Sequence, residues 1–326
     1  MISENILRGI KTKAQKLLSN GHWQTIMPLY LTDILIKVEY TRERLDTPDG
    51  DFIDLDWVNR ELDDAPTLIL FHGMEGNSQS HYAKRILYYL KELGWRGVVA
   101  HARGCSEELN RTLNFYHAGL TTDIDLVVKT LSARCNNRLF AAGVSLGGNA
   151  LLKYLGEGGN NADLIEAAVV ISAPFQLLDC SLNINRGINR YLYQPYFMRT
   201  LLVKMKQYAT QFPELNLYPN VKTMDDFNNL YITQLYQFRD SVDYYNQSSS
   251  IKYLKNIVTP CMIIQAANDP LIPAKTWPHQ SDLSNSITFV GLQQGGHVGF
   301  IGNNHNFKKA ILKLPRIMVQ YLNLFS

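Results

Sequence analysis

Four short apolar runs, PTLILF (66–71), GVVAHA (97–102), LFAAGV (139–144) and EAAVVISA (166–173), are separated by segments of helical length and rhythm: SHYAKRILYYLKEL, TTDIDLVVKTLSA and GGNALLKYLGE. A strand that is apolar at every position is buried on both faces, and parallel strands must be joined through crossovers. The alternation therefore restricts this chain to an α/β fold, a mostly parallel central sheet flanked by helices. Ahead of it, LIKVEYTRERL and DFIDLDWV alternate in polarity around the turn-forming DTPDG, which predicts a β-hairpin over 35–58 as an antiparallel edge.

From about residue 175 to 255 the alternation stops, and the chain becomes rich in Tyr, Asn, Gln and Leu, as in INRYLYQPYFMRTLLVKMKQYATQF and MDDFNNLYITQLYQF. This stretch is expected to be a mainly helical insertion. Strand-like runs resume at PCMIIQAAND and SITFVG, and FKKAILKLPRIMVQYLNLF closes the chain as a helical segment that Pro315 kinks or interrupts. The expected organisation is a core in two parts, 1–174 (with an N-terminal helix and the hairpin) and 256–326, with 175–255 as an inserted cap.

The 326 residues are 46% hydrophobic and 19% charged with a net charge of +3, the composition of a folded globular protein. The basic residues are spread along the chain, so nothing points to nucleic acid as a partner. The four cysteines are far apart and lack metal-type spacing, as suits free thiols in a reducing cytoplasm. No run approaches the roughly 18 apolar residues of a spanning helix and the N-terminus lacks a secretory h-region, so a cytoplasmic protein with no transmembrane segment is expected. Ile2, Ile6, Ile10, Ala14 and Leu17 recur at helical steps among Arg8, Lys11, Lys13 and Lys16. Such a helix lies on the protein body or, as a sharper expectation, makes peripheral contact with a membrane surface.

Ser145 stands in GVSLG, between an apolar strand and a helical segment, which fits G-x-S-x-G in the context that chemistry requires. A side chain at 143 or 147 would crowd the strained turn that lifts the serine hydroxyl out of the sheet. A hydroxyl is a weak nucleophile near neutral pH, so it needs a histidine to take its proton and a carboxylate to orient that histidine, in the chain order Ser, acid, His. Asp269, in NDPLIP after the CMIIQAAN run, and His297, in GGHVGF after SITFVG, each follow one of two successive late strands. Two backbone N–H donors must also face the developing oxyanion; Leu146, at the start of the helix, and Met74, in LILFHGMEGNSQS, are the candidates. His72 is expected to shape its loop, not to act as a base, and Arg103 to hold a carboxylate. Cys105 is not expected to be a nucleophile. No tight His/Cys/carboxylate group, G-x-G-x-x-G or Walker loop is present, so neither a metal nor a cofactor is expected.

The segments FHGMEGNSQSHYAKRI, HARGCSEELNRTLNFYHAGLTTDI, GVSLGGNALLKYLGE, NDPLIP and GGHVGF, with HWQTIMP and MDDFNNLY, resemble the YheT-like family of α/β-hydrolases over nearly the whole chain. The resemblance implies an α/β-hydrolase fold with a helical cap, a Ser145, Asp269, His297 triad and action on carboxylic esters. The expected activity is hydrolysis of a short- or medium-chain ester, possible lipid-derived substrates included, through an acyl-enzyme on Ser145. An acyltransferase using the same triad, and a non-catalytic binding protein on a hydrolase scaffold, are the alternatives. Tyr191, Tyr193, Tyr196, Phe197, Met198, Leu201 and Leu202 are candidates for an acyl pocket.

Overall fold

The computed structural model describes residues 19–135, 138–158, 161–302, 304 and 306–326; the basic segment from Ile2 to Leu17 lies outside them. Eight strands, β1 Thr41–Asp46, β2 Phe52–Val58, β3 Thr67–Phe71, β4 Arg96–Ala100, β5 Leu139–Val144, β6 Ala167–Ile171, β7 Cys261–Ala266 and β8 Ile287–Leu292, form one sheet in the order β1-β2-β4-β3-β5-β6-β7-β8. Strands β3 to β8 are parallel, and the hairpin pair β1 and β2 joins them antiparallel at one edge. Every residue of β3 to β7 is buried, as their largely apolar sequences lead one to expect.

The helices are α1 Gly21–Leu35, α2 His81–Glu92, α3 Thr122–Arg134, α4 Leu146–Glu157, α5 Leu177–Ile184, α6 Asn189–Gln211, α7 Met224–Phe227, α8 Thr233–Tyr236, α9 Ser241–Ser248, α10 Phe307–Ile311 and α11 Lys313–Leu322. Because side chains alternate along a strand, β3 feeds two cores. Leu68 and Leu70 pack with Ile86, Leu90 and Met318 of α2 and α11, while Ile69 packs with Val127, Leu131, Leu151 and Leu155 of α3 and α4. Between β6 and β7 the described residues form helices and no strand. Their apolar faces bury Leu201, Met205, Tyr208, Phe227 and Tyr231 together with Phe115 and Tyr116 from the loop after β4.

The hairpin is shorter than its alternating sequence predicts. Leu35 ends α1 and the ladder begins at Thr41 paired with Trp57; Ile36 is fully buried against Ile311 and Leu312, so part of the apparent alternation serves tertiary packing. The C-terminal segment breaks at Leu312, which places Pro315 in the first turn of α11, where a missing N–H costs no helical bond. With β3 to β8 parallel, their C-terminal ends share one rim, and His72 to Met74, Ser145, Asp269 and His297 all follow strand ends there.

Candidate active site

Ser145 is the single residue between β5 and α4, with φ 53° and ψ −121°. For a non-glycine residue this backbone costs about 1–3 kcal/mol. It is held by the Ser145 N–H donating to the Ile171 carbonyl at 2.9 Å and by the Asn149 N–H donating to the Ser145 carbonyl at 3.1 Å. The flanking glycines serve two different needs. A Cβ on Gly143 would lie 2.7 Å from Gly148 Cα, inside the turn itself. A Cβ on Gly147 would lie 2.5 Å from the Phe71 carbonyl oxygen and closer still to that of His72, so this glycine lets α4 approach the end of β3.

The three side chains singled out from the sequence stand in one hydrogen-bonded row. His297 Nε2 is 3.0 Å from Ser145 Oγ, and His297 Nδ1 is 2.8 Å from Asp269 Oδ2. Asp269 is buried, and its other oxygen accepts the N–H groups of Leu271 at 2.8 Å and Ile272 at 3.1 Å, which turns Oδ2 toward the imidazole. The preceding residue ties the two loops together: Asn268 Oδ1 accepts the N–H groups of Gly295 at 2.9 Å and Gly296 at 3.0 Å.

Met74 follows β3 and Leu146 opens α4; among the described residues neither backbone N–H donates to a protein acceptor. Leu146 directly follows the serine, and a Cβ on Gly73, the residue before Met74, would lie 3.6 Å from Ser145 Oγ. The first turn of α4 adds its partial positive charge at the same place. The loop bearing Met74 is braced by tyrosines: the Gly73 N–H donates to Tyr82 Oη and the Glu75 N–H to Tyr116 Oη, both at 2.9 Å. Glu75, itself buried, pairs with Lys204 of α6 at 2.7 Å. His72 is occupied on both nitrogens, accepting the Ala102 N–H on Nε2 and donating from Nδ1 to the Gly73 carbonyl at 2.7 Å. Burial lowers its pKa to about 3, so it stays a neutral loop former.

A cavity of about 660 Å³ reaches from Ser145 and His297 into the helices between β6 and β7. Its walls are largely apolar and include the buried side chains of Phe227, Ile232 and Tyr244. Of the aromatic and aliphatic residues expected to form a pocket, Tyr193, Tyr196, Phe197 and Leu201 line it. Tyr191, Met198 and Leu202 do not: Tyr191 points to solvent, while Met198 and Leu202 pack within the helical cluster. Arg103 holds Asp123 bidentately at 2.8 and 2.9 Å and also contacts Asp49 and Asp51. Burial raises the Cys105 thiol to about 11, opposite to what a nucleophile needs.

Three residues that orient the site escaped sequence analysis. Thr25 Oγ1 of α1 accepts the His297 backbone N–H at 2.9 Å. Asn268 bridges the acid and base loops. Arg85 of α2 is fully buried and donates to the carbonyls of Gly299 at 2.9 Å and Val298 at 2.7 Å; burial lowers its pKa to about 9. Its signal was a charged residue on the apolar stripe of a helix. Thr25 lies in the HWQTIMP segment, but nothing there marks its role, because the buried positions of α1, Gln24, Pro28 and Thr32, show no apolar periodicity.

Residues 66–304 match the α/β-hydrolase fold family. YheT of Escherichia coli (strain K12), a candidate esterase by its name, is 36% identical over 294 residues, covering 87% of this chain and 85% of that protein. Phospholipase ABHD3 of Mus musculus is 29% identical over 290 residues, 85% of this chain and 70% of that one. The solved esterase Pf2001 of Pyrococcus furiosus shares the fold at a TM-score of 0.57 and 14% identity, over 90% of this chain and 95% of that one. This chain is therefore a hydrolase of the α/β-hydrolase family and belongs to its YheT-like group.

Proposed function

We propose that the protein cleaves carboxylic esters of short or medium acyl chains, lipid-derived esters among them, through an acyl-enzyme on Ser145. The observation that carries this reading is the row Ser145 Oγ, His297, Asp269 at 3.0 and 2.8 Å. His297 Nε2 takes the Ser145 proton as Oγ attacks the ester carbonyl, and Asp269 keeps the remaining proton on Nδ1 and balances the imidazolium. The N–H groups of Met74 and Leu146 receive the oxyanion, a stabilisation of about 3–4 kcal/mol for each well-placed donor. His297 then returns the proton to the departing alkoxide, and water, deprotonated in turn, releases the acid. Esters are favoured over amides because an alkoxide leaves more readily than an amine.

The largely apolar cavity beside Ser145 suits an acyl chain, and we assign the helices of 175–255 to a cap that roofs it. The names of the relatives, a candidate esterase and a phospholipase, agree with this substrate class. The four free cysteines suit a reducing cytoplasm. Labelling with a fluorophosphonate and turnover of p-nitrophenyl esters of rising chain length test the reading together. Both are expected in the wild type and absent from Ser145→Ala; turnover retained by a folded Ser145→Ala protein overturns it.

A further inference from the structure

Exposed residues of α1 and of the first half of α6 line the cavity, and apart from Asp33 and Gln79 its exposed lining is apolar or aromatic. Leu29 and Tyr30 from α1 and Leu192 and Tyr196 from α6 are the exposed apolar and aromatic residues, which we take as its mouth. Beyond the rim the apolar surface continues: Trp23 is 58% exposed, Ile34 75%, Ile188 58% and Tyr191 78%. The two helices form one surface, joined where His22 Nδ1 meets the Tyr193 hydroxyl at 2.9 Å with the rings stacked. Side chains of this size left in water on two adjacent helices mark a binding surface.

The charge around the mouth says what covers it. Residues 182–211 contain Arg186, Arg190, Arg199, Lys204 and Lys206 and no Asp or Glu. Lys204 is taken by Glu75, and the other four cations are exposed. On α1 the one acid, Asp33, pairs with Lys84 at 2.9 Å. Tryptophan, tyrosine and isoleucine framed by unopposed arginine is the combination that settles at a headgroup boundary, the rings and aliphatic chains below and the guanidiniums among phosphates. No helix of the described residues is long and apolar enough to cross a membrane, so such contact lies in the surface plane.

We propose that the cavity mouth is a docking surface for the anionic face of a lipid bilayer, with Trp23, Ile34, Ile188 and Tyr191 seated at the headgroup–acyl boundary and Arg186, Arg190 and Arg199 on lipid phosphates. A lipid ester then moves from bilayer to cavity along a continuous apolar path. That transfer rests on the ester-hydrolase reading; the docking does not.

The test uses full-length Ser145→Ala protein, which leaves lipid intact, and sedimentation with vesicles of phosphatidylcholine mixed with phosphatidylglycerol. Binding is expected, reduced at least about tenfold by Ile188→Ser with Tyr191→Ser, whose side chains are outside the cavity. Arg186→Gln and Arg190→Gln are each expected to weaken it about fivefold. In the Ser145 background the same substitutions leave turnover of soluble p-nitrophenyl acetate unchanged, which shows that they fold. Absence of vesicle binding, undiminished binding by the Ile188/Tyr191 variant, or equal binding to pure phosphatidylcholine overturns the proposal. So does a dimer in sedimentation velocity that the Ile188/Tyr191 variant dissolves, since the patch would then meet a second copy. Vesicle binding by a protein that turns over no ester would refute the ester reading alone.

Discussion

Thr25 Oγ1 accepts the backbone N–H of His297 at 2.9 Å and donates to the Gly21 carbonyl at 2.7 Å. A hydroxyl on a separate helix thus sets the height of the imidazole over Ser145, although Thr25 follows no strand and the HWQTIMP segment that contains it gives no hint of this role. Replacing Thr25 by valine keeps the shape but leaves the His297 N–H without its acceptor, a cost of about 1–3 kcal/mol that the loop can escape only by moving. Thr25→Val is expected to lower kcat and the rate of fluorophosphonate labelling about tenfold, and Thr25→Ser to restore both. Equal loss in the serine variant would show that packing, not the hydrogen bond, matters there.

Asp269→Asn separates charge and tautomer from shape. Asparagine Oδ1 still accepts the Leu271 and Ile272 N–H groups, but its amide donates toward His297 Nδ1 and moves the imidazole proton to Nε2, where a base is needed. A fall in kcat of about 10³–10⁴ is expected, with the melting temperature within a few degrees of wild type. A kcat within tenfold of wild type would remove Asp269 from the proposed relay.

Much of this site was legible in the sequence because each of its principal side chains follows an apolar run, and parallel strands deliver such positions to one rim. The supports were not legible. Arg85 reaches Val298 and Gly299 across more than two hundred residues, and α1 meets the His297 loop through Thr25 and a buried face that is not apolar. The strained turn alone does not explain Gly147: its nearest neighbours are the carbonyls of Phe71 and His72 at the end of β3, a contact that local sequence does not encode.

Gly147→Ala tests that contact. The new methyl group would enter the space of the Phe71 and His72 carbonyls, neither of which can yield without bending β3 or displacing the loop bearing Met74. A loss of about 2–4 kcal/mol in urea unfolding is expected, together with labelling of Ser145 slowed more than a hundredfold. Gly158→Ala, at a left-handed helix end with open space around it, is expected to cost about 1 kcal/mol with labelling unchanged.

Acid should destabilise the fold above the range where carboxylates titrate. Burial lowers His72 and His117 to about 3, and burial with the Arg85 charge lowers His81 well below its usual value. In the unfolded chain these imidazoles bind protons near pH 6.5. Below that pH the unfolded state therefore holds more protons, so their contribution is complete above about pH 6.5 and is lost as pH falls toward 3. The urea midpoint is expected to be flat from pH 8 to 7 and to fall from about 6.5 downward, at up to about 1.4 kcal/mol per pH unit for each imidazole. His117→Phe, set among the rings of Tyr236, Phe238 and Tyr244, should make that slope shallower; an unchanged slope would mean His117 is not buried as a neutral group.

The cavity should act as a ruler for the acyl chain. Its exposed lining includes Leu29, Tyr30, Leu192 and Tyr196, and its buried lining Phe227, Ile232 and Tyr244, which we take as its inner end. Each methylene that enters is worth about 0.8 kcal/mol, or roughly fourfold in kcat/KM if the transition state keeps the contact. Turnover of p-nitrophenyl esters should therefore rise with chain length until the apolar wall is reached and then level off. Ile232→Trp fills the buried end, so the plateau should move to shorter chains and the longest favoured ester should lose about tenfold or more in kcat/KM, with p-nitrophenyl acetate unaffected. If acetate and the longer esters fell together, the substitution would have disturbed Ser145 instead of the pocket, and if neither changed, the chain would lie elsewhere.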